Sequence, residues 1–127
     1  MGKEILILEE NTIRSKIHVI RGQQVMLDFD LAQIYGYSTK AFNQQVKNNI
    51  ERFDDDFRFQ LSVDEIENLR SKILTSSWGG SRYKPYAFTE QGIYMLMTVL
   101  KGDLAVTQSK ILVRTFKERH FLPRPDF

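Results

Sequence analysis

Lys40, Asn43, Gln44, Lys47 and Asn48 recur at intervals of one or three residues in a single short segment. Their side chains suit contact with nucleic acid. Lysine neutralises a phosphate or reaches a guanine edge, and the amides of Asn and Gln donate to and accept from an adenine edge at the same time. At about 100° per residue, Lys40, Gln44, Lys47, Asn48 and Glu51 fall opposite an apolar stripe of Phe42, Val46, Ile50 and Phe53. The spacing predicts a helix that buries one side and shows this polar set on the other. Asn43 and Gln44 lie in its first two turns, where such helices reach base edges, and Lys47 is better placed for phosphate. An ordinary amphipathic helix also has a polar outer face, so the reading depends on what positions the helix.

A second set surrounds Gly79-Gly80. Ser76, Ser77, Ser81, Arg82 and Lys84 could follow a phosphate backbone, as wings do beside recognition helices. Trp78 and Tyr83 could stack on bases, but aromatic side chains beside a turn are more often packing residues. Other chemistries find less support. Asp54-Asp55-Asp56 could attract a divalent cation, yet a carboxylate run between two elements usually makes a solvated turn. His18 and His120 stand near opposite ends without the pattern of a triad, and Trp78-Gly79-Gly80-Ser81-Arg82 lacks the spacing and lysine of a phosphate loop. With no Cys and only two His, a transition-metal site is not expected.

The elements that must hold the first set are two helices joined by a tight turn. Leu31, Ile34 and Tyr35 share one face of a short helix that Asp28 or Asp30 can cap, Gly36 ends it, and Ser38 or Thr39 caps the next. A helix-turn-helix needs a small residue where the helices cross, a glycine four positions later and an apolar anchor six further on. Ala32, Gly36 and Phe42 meet that spacing. Gln45 stands where an apolar anchor is common, so Val46 must serve in its place.

Around this motif the chain reads as a small, single α+β domain with helix-turn-helix, winged-helix-like elements and short β-hairpins. Residues 17–27 form a hairpin about Arg21-Gly22, and Phe57, Phe59 and Leu61 alternate on one strand face. Ser62 and Glu65 form a capping box ahead of a Val63, Ile66, Leu69, Ile73 stripe. Residues 74–84 suggest a second hairpin, and Pro85 puts its return strand at a sheet edge. A helix capped by Thr89, apolar nearly all round, runs to Lys101, and one capped by Asp103 runs to Phe121. Residues 1–16, with Ile5-Leu6-Ile7-Leu8, are an arm or edge strand, 17–121 the domain, and 122–127 a linker-like tail.

Composition agrees with a DNA-binding reading without demanding it. The 127 residues carry 18 Lys+Arg against 16 Asp+Glu, a net charge of +2. The charges are blocked: residues 11–27 and 68–89 hold bases and no acid, whereas acids collect at 51–56 and 64–67. Such segregation permits a basic face on a nearly neutral protein. The longest apolar run, Ile93 to Leu100 broken only by Thr98, is far shorter than the roughly 18 residues of a membrane span. The acidic start is unlike a signal peptide, so a cytoplasmic location is expected.

Several ordered motifs resemble the ORF-6 N-terminal domain of phages and bacteria, a relative of the KilA-N domain. They are Ile20-Arg21-Gly22-Gln23, Val25 to Ala32, Tyr35-Gly36, Asn49 to Phe53, Asp56-Phe57, Phe59 to Leu61, Thr75 to Gly80, and Pro85 to Gly92. The similarity extends over about residues 17 to 118. It implies an α+β DNA-binding module of a phage antirepressor-like or prophage regulator, usually followed by a variable C-terminal region. The resemblance puts Thr39, Lys40, Asn43, Gln44 and Lys47 in the variable second helix. The expected interface is therefore Thr39, Lys40, Asn43, Gln44, Lys47 and Asn48 with Ser77, Arg82 and Lys84, binding double-stranded DNA without catalysis, cofactor or metal. The alternative is a protein-interaction module whose partner is a phage repressor or a host protein, and both a monomer and a dimer fit the sequence.

Overall fold

The computed structural model describes residues 13–71 and 83–121, with side chains through Lys117. Residues 13–15 are helical and lead into a four-stranded antiparallel sheet, β1 (His18–Ile20), β2 (Gln23–Leu27), β3 (Arg58–Gln60) and β4 (Tyr86–Thr89). Its spatial order is β1-β2-β4-β3. The helices are α1 (Asp28–Tyr35), α2 (Thr39–Lys47), α3 (Val63–Arg70), α4 (Glu90–Val99) and α5 (Asp103–Phe121), with a 3-10 turn at Ile50–Arg52. The α+β class with a helix-turn-helix and a β-hairpin is as the sequence indicates. Residues 72–82, with Ile73, Trp78 and Gly79-Gly80 of the expected second hairpin, lie outside the described residues, as do residues 1–12 of the arm and the tail from 122.

Strand alternation sorts the core into two layers. Met26 and Phe88 point into a cluster with Leu31, Phe42, Leu96 and Phe116, while Val25, Leu27, Phe59 and Ala87 point to the other face, where α3 lays Ile66 and Leu69. Because both faces are covered, Val25-Met26-Leu27 is a continuous apolar run rather than an alternating one. Registers Met26↔Phe88 and Arg58↔Phe88 make β4 an inner strand, paired on both edges.

That position corrects the expectation drawn from Pro85. The proline immediately precedes β4, an inner strand, instead of marking an edge, and its carbonyl still accepts the Leu61 N–H at 3.0 Å. Phe57 also departs from its predicted face, because β3 begins only at Arg58 and Phe57 packs against the opposite cluster from Phe59 and Leu61. Val63 is exposed, leaving Ile66 and Leu69 to seat α3 behind the expected Ser62–Glu65 capping box. Helix α4 buries only Gly92, Ile93, Leu96 and Val99, with Tyr94 and Met97 in solvent, and it ends at Val99. A Cβ on Gly92 would lie 2.0 Å from the Phe57 carbonyl oxygen, which is how closely α4 approaches the chain entering β3. Asp103 is the first residue of α5, and the preceding Gly102 carbonyl accepts the Val106 N–H at 3.2 Å.

Candidate nucleic-acid interface

Helices α1 and α2 meet as the sequence spacing requires. Gly36 takes φ 79°, its N–H bonds to the Gln33 carbonyl at 3.1 Å, and the Tyr37 N–H reaches Ala32 at 2.8 Å. This paired arrangement closes the end of α1 and turns the chain at once. The Ser38 hydroxyl then accepts the Ala41 N–H at 3.1 Å to start α2. Ala32, Phe42 and Val46 are all buried, and Val46 fills the anchoring role that Gln45, in solvent, does not. The Phe42 ring lies between Tyr35 and Phe88, with centroids 6.4 and 5.6 Å away.

The outer face of α2 exposes Lys40, Gln44, Lys47 and, just past its end, Asn48, while Thr39 is half-buried. Gln44 donates through Nε2 to Asn48 Oδ1 at 2.9 Å, a bond that does not use Gln44 Oε1 or Asn48 Nδ2. The helix is shorter than its apolar stripe suggests. It stops at Lys47 and the chain tightens into the 3-10 turn, so Ile50 is exposed and only Phe42, Val46 and Phe53 of the stripe are buried. One consequence is electrostatic: Glu51 leaves the helix, and α2 itself carries two lysines and no acid.

Lys40, Lys47 and Lys84 meet no carboxylate among the described residues. The bases of the first block are used differently. Lys16 pairs with Asp30 at 3.1 Å, and Arg21 grips Glu65 through Nε and Nη2 at 2.8 and 3.1 Å.

Asn43 is not on the outer face. It is half-buried and donates through Nδ2 to Asp28 Oδ2 at 2.9 Å, while its own Oδ1 is buried without a partner among the described residues. The same Asp28 oxygen accepts the Tyr83 hydroxyl, and the Phe29 N–H reaches Oδ1 at 2.8 Å. Asp28 is wholly buried and does not cap α1 as expected, since Leu27 occupies the cap position and makes no side-chain bond there. Burial pushes the Asp28 carboxyl above the usual carboxylate range, against the opposing pull of hydrogen bonds from Tyr83, Asn43 and the backbone of Tyr86 and Phe29. Burial and the Asp28 contact likewise raise the Tyr83 phenol. Nearby, Arg58 stacks over the Tyr86 ring at 3.7 Å, and burial lowers its pKa.

This cluster brings α2 and the strand-entry segment carrying Lys84 onto one carboxylate. Of the residues expected to bind, Lys40, Gln44, Lys47, Asn48 and Lys84 are exposed, Thr39 and Asn43 are less so, and Ser77 and Arg82 lie outside the described residues. Sequence reasoning missed Asp28 and Tyr83 as partners. The signal was an aspartate between a fully apolar run and a helix, which resembles a cap until the fold brings residue 83 to it.

Elsewhere, the Asp54 carbonyl accepts the N–H groups of Phe57 and Arg58 at 2.8 and 3.0 Å, so the acidic run closes a turn. Among the described residues no three His, Asp or Glu side chains gather closely enough to hold a metal ion, and no helix is long and apolar enough to cross a membrane. A cleft of about 520 Å³ between β1–β2 and the start of α4 offers one carboxylate, Glu90, and none of the expected binding residues.

No curated protein and no solved structure matches the chain. The sequence profile of the ORF6N domain does, over residues 15–99. That span runs from the entry to β1 through the end of α4 and stops before α5, earlier than the motif reading to 118 suggested. It contains the helix-turn-helix, the Asp28 cluster and all four strands, and by this match to two thirds of its length the chain belongs to the ORF6N domain family.

Proposed function

We propose that this protein is a double-stranded DNA-binding domain of a phage or prophage antirepressor-like regulator, without catalytic role, acting in the bacterial cytoplasm. The observation that carries the reading is the acid-free outer face of α2, tethered through Asp28 to the segment bearing Lys84. Helix α2 enters the major groove, Gln44 faces base edges, and Lys40, Lys47 and Lys84 neutralise phosphates. With Asn43 turned inward, base reading rests on fewer side chains than the sequence suggests.

The test is a salt titration of duplex binding. Three neutralised phosphates give a slope of log affinity against log salt of roughly 3, and Lys47→Ala lowers it by roughly one. Gln44→Ala should lose about 1 to 3 kcal/mol on the preferred site while affinity for random duplex hardly changes. Absent or salt-insensitive binding would defeat this reading and favour a phage repressor or host protein as partner.

A further inference from the structure

Resting on that DNA-binding reading, we propose that Asp28 is a positioning residue: it sets the rotation of α2 against the Tyr83–Tyr86 segment and thereby governs discrimination between DNA sequences. Three parts of the chain meet at its carboxylate. Asn43 comes from the inner side of α2, Tyr83 precedes the exposed Lys84, and Asp28 itself sits at the junction of β2 and α1.

Apolar packing fixes which side of α2 faces the core but sets its exact rotation only loosely. Phe42 and Val46 hold α2 at its distance from the sheet, but burial of apolar surface is non-directional. The Asn43–Asp28 bond at 2.9 Å is directional, and its acceptor is a carboxylate that is itself wholly buried, where few waters compete for it. The orientation of the Asn43 amide is dictated by this bond, because the carboxylate can only accept; the cost is a buried Oδ1 with no partner among the described residues. A rotation of about 20° moves a side-chain tip about 6 Å from the helix axis by about 2 Å. That is enough to break a base contact, whereas a phosphate contact made by a flexible lysine survives it.

Asp28→Asn keeps the shape and removes the charge and one acceptor. Asp30→Asn is its control: Asp30 is also buried and lies in the same first turn, but its partner is Lys16 rather than α2. Two measurements are needed. One is the ratio of affinities for a duplex selected from a random oligonucleotide pool and for a scrambled duplex. The other is the orientation of α2 relative to β2 and β4 in the free protein, from residual dipolar couplings.

Asp28→Asn should lower the ratio roughly tenfold or more, leave scrambled-duplex affinity unchanged and rotate α2, while Asp30→Asn does none of these. Tyr83→Phe, which removes only a hydroxyl, should act in the same direction and decides the matter if Asp28→Asn does not fold. The proposal is overturned if these variants keep both ratio and orientation, or if Asp30→Asn does as much as Asp28→Asn. A native protein that binds no duplex defeats the DNA reading and the specificity claim with it; an unmoved α2 in Asp28→Asn defeats positioning alone.

Discussion

Phe42 is the side chain on which the helix-turn-helix depends, fully buried where α1, α2 and β4 converge. Truncation to Ala should cost about 3 to 5 kcal/mol, read as a lower urea midpoint, because close-packed neighbours collapse only partly into the space left. The two buried aspartates make a separate prediction. Burial raises both, and the ion pair with Lys16 only partly offsets it at Asp30. A carboxyl raised by folding contributes stability that is full below its unfolded value, about 4, and is lost as pH rises through its folded value. Glu65, held below its ordinary value by the Arg21 hydrogen bond, works in the opposite sense and loses its contribution as pH falls. Urea midpoints between about pH 4 and pH 8 should therefore show a decline with rising pH that Asp28→Asn flattens, and an unchanged or steeper decline in that variant would contradict the assignment.

At the scale of elements, the α1–α2 turn is legible almost atom by atom, because its requirements are local: a left-handed residue, a hydroxyl cap and three apolar anchors at fixed spacing. Gly36→Ala tests it. The new methyl would meet Leu104 Cδ2 at an ordinary 3.5 Å, so the loss should be the backbone cost alone, about 1 to 2 kcal/mol in thermal or urea unfolding. What the sequence could not display depends on contacts between distant residues. Whether Asn43 faces base or protein is decided by Asp28 and Tyr83, and helical periodicity places it near a boundary between the two faces. The end of α2 was hidden for another reason: Phe53 keeps the helical spacing although the chain has already become a 3-10 turn. The β1–β2 turn is similar, since Arg21 takes a left-handed φ of 55° despite its side chain. Its guanidinium, paired with Glu65 and lying 4.0 Å from the Phe59 ring centre, ties the turn to β3 and α3.

Over the whole molecule, the order of strands carries an implication for how the protein comes to be folded. The β1–β2 hairpin closes between neighbours, but Leu27 finds Ala87, and Phe59 also finds Ala87, only when the last strand arrives. Closing such long loops is paid in chain entropy before any contact repays it. The helix-turn-helix is left waiting as well, since Phe42 and Phe53 both rest on Phe88. Synthesis from the N-terminus should thus yield a chain whose hairpin and helices flicker until β4 has emerged, then order together. Stalled nascent chains ending before Tyr86 should be cleaved readily by protease throughout 28–60, and chains that expose β4 and α4 should become resistant in one step. Resistance gained already at Gln60 would mean that the two helices stand without β4.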